Sequence, residues 1–147
     1  MKTLSYPNED EITVKKAWWN FLPFWGCSIA SQIQVELFRL IQKQLDERGI
    51  IKEEFWSQYS IDIKIKHKID KMLIEYLGWD KNSTFHPEDE FHIIMQLKYG
   101  DLGEVEFMMA VEEDFEIEWP EELTLKIDNG LKYYQFIQHI ETNTKTL

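Results

Sequence analysis

Apolar residues recur along much of the chain at intervals of three and four, the period of a helix with one buried face. Over residues 31–48 they fall at Ile33, Leu37, Leu40, Ile41 and Leu45, and Gly49 is placed to stop the helix in a left-handed turn. Residues 62–77 repeat the pattern with Ile65, Ile69, Met72, Leu73, Tyr76 and Leu77, with Lys64, Lys66, Lys68 and Lys71 on the remaining surface and Gly78 as the stop. Between these runs, residues 52–59 predict a short helix presenting Phe55, Trp56 and Tyr59. Residues 80–90 are polar, contain Pro87, and read as a solvated acidic loop. The next helix spans residues 101–115, where Asp101 is placed to cap free backbone N–H groups and oppose the macrodipole. Pro120 closes the following connection, and residues 121–127 suggest one short turn of helix. Asp128-Asn129-Gly130 is a turn before a last helix over residues 131–140, with Leu131, Tyr134, Ile137 and His139 or Ile140 inward. Residues 12–14 and 116–118 alternate too briefly to force strands, and residues 141–147 read as a frayed polar tail. The pattern predicts an all-α protein.

Composition adds scale. The 147 residues are 44% hydrophobic and 29% charged, sufficient for a single core without covalent staples. A shift near residues 60–62 separates an aromatic-rich helical region, residues 1–61, from a helical unit over residues 62–140, followed by the tail. The single cysteine, Cys27, excludes an internal disulfide and any multi-cysteine metal site. The first residues show no apolar run ahead of their acids, and no apolar stretch approaches the roughly 18–20 residues that cross a bilayer. A cytoplasmic location and no membrane insertion are the expectation.

Charge changes the picture further. The formal net charge is −11, and residues 86–122 hold thirteen acids against one base, Lys98, so the rest of the chain is close to neutral. Nucleic acid is excluded as an expected partner, because phosphate binding rests on clustered Lys and Arg. A confined acidic surface suits a protein with a basic surface; the alternative is that these acids serve solubility alone.

The string Val105-Glu-Phe-Met-Met-Ala-Val-Glu-Glu-Asp-Phe-Glu-Ile-Glu-Trp-Pro-Glu-Glu122 resembles the second helix and following loop of acyl carrier proteins. Ile69 to Gly78 is similar to that family's first helix, and Ile127 and Ile137 stand at the places of isoleucines in its third and fourth helices. The resemblance covers about residues 62–140 and implies a four-helix bundle preceded by an aromatic-rich helical extension. It also implies a specific departure. The family joins 4′-phosphopantetheine to a serine hydroxyl at the start of the second helix, where this chain has Asp101, preceded by Gly100 and followed by Leu102. A carboxylate cannot form that stable phosphodiester, and residues 85–123 contain no Ser or Thr. The cofactor is therefore expected to be absent. The recognition surface remains: by position, Val105 and Met109 match the family's exposed apolar pair, Glu106, Glu112 and Glu113 its ringing acids, and Phe107, Val111 and Phe115 its core.

Other chemistry is weaker. Trp18, Trp19, Phe21, Phe24 and Trp25 crowd around Pro23 and suit a lid over the bundle, a partner surface or, less well, a membrane interface. Cys27 lacks a nucleophile signature and reads as inert. His86 and His92 bracket Glu88, Asp89 and Glu90, but the spacing matches no metal motif. These readings predict a non-enzymatic, acyl-carrier-like protein that binds a basic partner, for example as an immunity or antidote protein. The alternatives are a working carrier with a diverged attachment site and an enzyme with a pocket beneath the aromatic region.

Overall fold

The computed structural model describes residues 2–12, 26–96 and 102–144, with side chains in the first helix described from residue 32. Its α-helices are α1 (Gly26–Arg48), α2 (Ile63–Leu77), α3 (Phe91–Ile94), α4 (Leu102–Phe115), α5 (Glu121–Asp128) and α6 (Tyr133–Asn143), with 3-10 turns at Glu9–Glu11 and Glu53–Trp56. Among the described residues there is no strand, only an isolated antiparallel bridge between Glu90 and Lys132. The protein is all-α across these residues, as its periodicity predicts.

Local chemistry sets the helix ends. The Asp62 carboxylate accepts the Lys64 N–H at 2.8 Å and caps α2, while Gly78 closes the helix at φ +81°. Gly49 ends α1 at φ +76°, its N–H donating to the Leu45 carbonyl. At α4 no glycine is available, and Glu116 takes φ +52° instead. The Ile117 N–H then returns to the Glu112 carbonyl at 3.1 Å, a six-residue closure of the Schellman kind that buries Ile117.

Helix α2 packs against α4 and α6, and α3 against α5. The core between them is aromatic. Phe91 stacks on Phe136 at 3.9 Å and lies nearly parallel to Tyr133 at 5.6 Å, while Trp56 meets Tyr133 edge-on. One hydrophobic cluster runs from Leu4 through Phe38, Ile41, Leu45 and Trp56 into the helices beyond residue 62. Side chains on both sides of the composition shift thus share one core.

Several expectations require correction. Lys66, expected on the solvent face of α2, is buried: its Nζ pairs with Asp70 at 2.6 Å and lies 5.1 Å from the centre of the Trp56 ring. Its four-carbon stem packs inward while two electron-rich partners satisfy the charge. In α6 the inward stripe is Tyr133, Phe136, Ile137 and Ile140, with Leu131, Tyr134 and His139 only half-buried. Tyr133 is accommodated because its hydroxyl donates to Asp70 at 2.5 Å. Within residues 52–59 only Glu53–Trp56 are helical, as a 3-10 turn, and Trp56 is buried instead of presented. Helix α5 covers the expected residues 121–127 and extends one residue further, to Asp128.

The largest correction concerns residues 80–90. They form a loop, but not a solvated one: Phe85 and Asp89 are fully buried, and His86 and Pro87 are buried beside them. Arg48, in the last turn of α1, reaches Asp89 with two parallel bonds of 2.8 and 2.9 Å. The same carboxylate accepts the Leu4 N–H at 2.8 Å and the His86 N–H at 2.7 Å. A buried carboxylate is stable here because four donors converge on it.

Candidate interaction surface

Helix α4 presents two faces of opposite character. Phe107 and Val111 are fully buried, with Phe115 and Gly103 buried beside them, and this side packs on α2. On the other side Leu102, Val105 and Met109 are 74%, 50% and 61% exposed. Their spacing of three and four residues places them along one stripe, interleaved with Glu106 and Glu113, which are also exposed. Water contacts three large apolar side chains that could have been polar at little cost to the fold. Of the two adjacent methionines, Met108 is half-buried and Met109 turns outward.

The face is held from behind. Lys68 of α2 donates to the Asp114 carbonyl at 3.2 Å, approaches its carboxylate at 3.4 Å and lies over the Phe115 ring at 4.9 Å. A cation at the α4 C-terminus also opposes the negative end of the helix dipole. Glu112, expected among the ringing acids, sits half-buried, and its carboxylate accepts the Trp119 N–H at 2.6 Å. Its geometry ties the α4–α5 connection together. Glu106 and Glu113 are the acids of the expected set that face water without such a bond being needed for the turn. Asp101, the expected position of the missing attachment hydroxyl, lies outside the described residues, as do Lys98, Tyr99, Gly100, the aromatic run Trp18 to Trp25 and the Cys27 side chain.

Two buried polar clusters were candidates for chemistry, and sequence reasoning missed both. Arg48 and Asp89 lie 41 residues apart, and no spacing motif links them. Asp89 spends both oxygens on four donors, leaving none directed at an open space. In the second cluster Asp70 binds Lys66 through one oxygen and the Tyr133 hydroxyl through the other. Burial raises the Asp70 pKa above the ordinary carboxylate value and pushes the Tyr133 hydroxyl well above the ordinary phenol. With one Asp70 oxygen on Lys66 and the other on Tyr133, the arrangement pins α2 to α6.

His86 is buried, and its Nδ1 accepts the Glu88 N–H at 3.1 Å, which leaves Nε2 as the protonated nitrogen of the neutral ring. Burial, and then the nearby Arg48 charge, lower its pKa against the opposing pull of Asp89 and Glu88. The His92 Nδ1 lies 3.4 Å from a Glu90 carboxylate oxygen without forming a hydrogen bond to it. No three metal-ligating side chains converge among the described residues, nor is any described helix long and apolar enough to cross a membrane.

No protein-family model matches the chain, and no solved structure matches it significantly.

Proposed function

We propose that this chain is a non-enzymatic interaction protein on an acyl-carrier-like four-helix scaffold, formed by α2, α4, α5 and α6, which docks a basic protein through the exposed face of α4. The carrying observation is the stripe of Leu102, Val105 and Met109, exposed beside Glu106 and Glu113 and backed by a buried face that fixes its orientation. Acids of one sign speed and orient encounter with a basic surface, and a small apolar centre supplies affinity once water is expelled. Methionine at the centre adapts to the shape it meets. An immunity or antidote role, covering the basic active site of a toxin, is one setting that fits this chemistry. Asp101 in place of the carrier serine leaves the scaffold able to dock without carrying a phosphopantetheine arm.

The test is capture of host proteins by the wild-type chain and by a Glu106→Lys/Glu113→Lys/Met109→Asp variant, read by mass spectrometry at low and high salt. A specific basic protein held by the wild type, released by salt and lost with the variant supports the reading; equal capture by both chains removes it. Intact mass after incubation with coenzyme A and a broad-specificity phosphopantetheinyl transferase tests the carrier alternative. An unchanged mass is expected.

A further inference from the structure

Helix α2 turns a cationic stripe to water. Lys64, His67, Lys68 and Lys71 are all exposed, at spacings of three and four residues that align them along one side, with Glu75 at the far end. The stripe runs against the charge of the whole chain, which is −11. Two of its members already have acidic neighbours: His67 lies 2.8 Å from Glu53, and Lys68 lies 3.4 Å from Asp114. Lys64 and Lys71 enter no ion pair among the described residues.

The outward face of α4 is the counterpart. Glu106 and Glu113 are exposed, enter no ion pair among the described residues, and stand seven residues apart, as Lys64 and Lys71 do. Seven residues are two helical turns, about 10.5 Å along the axis. The basic and acidic pairs therefore match in spacing as well as in sign. Helices α2 and α4 are packed neighbours, and the Lys68–Asp114 contact, with both side chains 45% exposed, joins the edges of the two faces. Adjoining stripes of opposite sign and equal spacing make a self-complementary surface, because a two-fold rotation sets each against its opposite.

We propose that the surface formed by α2 and α4 is a symmetric self-association face, on which Lys64 and Lys71 of each copy pair with Glu106 and Glu113 of a second copy. This rests on the reading given for α4 and names its basic partner as the chain itself. Val105 and Met109 lie beside the acids and meet the aliphatic stems of the second copy's lysines, so the apolar stripe leaves water with them. Two chains of net charge −11 repel at a distance. At about 0.15 M salt that repulsion is screened beyond roughly 8 Å, whereas pairs in contact are screened much less. A weak, concentration-dependent dimer follows.

The test is sedimentation equilibrium of the full chain at about 0.15 M salt, from micromolar to millimolar concentration. The wild type is expected to pass from monomer to dimer. Lys64→Glu/Lys71→Glu and Glu106→Lys/Glu113→Lys set like charges face to face, and each should weaken dimerisation at least about tenfold. An equimolar mixture of the two variants rebuilds every pair with its signs exchanged and should recover the dimer. All four positions are exposed, and circular dichroism reports whether each variant keeps its helices. Should a reversal unfold the chain, Lys64→Gln/Lys71→Gln and Glu106→Gln/Glu113→Gln remove the charges instead, and each should still weaken the dimer. A wild type that stays monomeric at every concentration overturns the proposal, as does a dimer of undiminished strength in the variants or a mixture that does not associate. Host capture lost with Glu106→Lys/Glu113→Lys in a chain that never dimerises would leave the α4 reading standing and end this one alone.

Discussion

Asp89 and Glu113 belong to the same acid-rich stretch, and the fold gives them opposite fates. Asp89 is fully buried and holds Arg48, Leu4 and His86 together; Glu113 stands in water beside Met109. The difference is not one of residue type. A carboxylate leaves water only where fixed donors replace its hydration, and those come from the last turn of α1 and a distant backbone. On α4, Glu106 and Glu113 face outward and remain solvated. Charge density in sequence therefore marks a surface only where tertiary contacts do not intervene.

The comparison breaks most sharply at Asp89. Asp89→Ala strands the buried Arg48 charge and two backbone N–H groups, and is expected to cost about 3–5 kcal/mol in urea denaturation. Replacing both partners, with Arg48→Met and Asp89→Leu, should recover part of that loss; a double variant as unstable as the single one would mean that the ion pair is not where the energy lies. On α4, Phe107→Ala should cost about 3–5 kcal/mol through an unfilled core cavity. Met109→Ala, two residues away and exposed, should stay within about 0.5 kcal/mol. Equal losses at these two positions would show that the two faces of α4 are wrongly assigned.

A smaller effect separates the loop from α4 by pH. The His86 pKa is lowered in the folded chain, so the unfolded chain takes up the proton first as the medium is acidified. Its contribution to stability is complete above the ordinary histidine value near 6.5 and is lost as pH falls through the lower folded value. His139 shifts in the same direction, through burial and Lys126, whereas burial of Asp70 acts oppositely in the carboxylate range. His86→Asn keeps an acceptor for the Glu88 N–H but cannot titrate. Its urea midpoint should therefore gain on the wild type between pH 7 and 5, and parallel pH profiles would remove His86 as the cause. The smallest effect is expected at Glu113→Gln, which should leave the urea midpoint at neutral pH within about 0.5 kcal/mol of the wild type while weakening capture of a basic partner.

Much of α4 was legible because its buried residues answer to one period. Phe107, Val111 and Phe115 lie four apart, and the outward positions follow as the complement. Helix α2 and the later turns of α1 were legible for the same reason, with glycine stops at Gly49 and Gly78, whereas α1 begins at Gly26 rather than residue 31, Ile33 is exposed and Phe38 takes a core place. Lys66 and Tyr133 were misplaced because each has a polar atom that sequence alone assigns to water; Asp70 lies one turn from Lys66 on α2, but its bond to Tyr133 exists only once α2 and α6 are packed together. Glu112 was read as a surface acid because its acceptor role toward Trp119 depends on the left-handed turn at Glu116, a conformation no glycine announced.

By itself the sequence determined the helical class, the placing of the long helices and the sign of the outward α4 face. These follow from contacts within a few residues, where periodicity and capping act locally. Tertiary structure decided which charges leave water. Each buried ion needs donors brought from remote parts of the chain: Arg48 and Leu4 for Asp89, Tyr133 for Asp70. Local donors, Lys66 for Asp70 and the His86 N–H for Asp89, meet only part of the desolvation, and the remote ones are set by geometry in three dimensions.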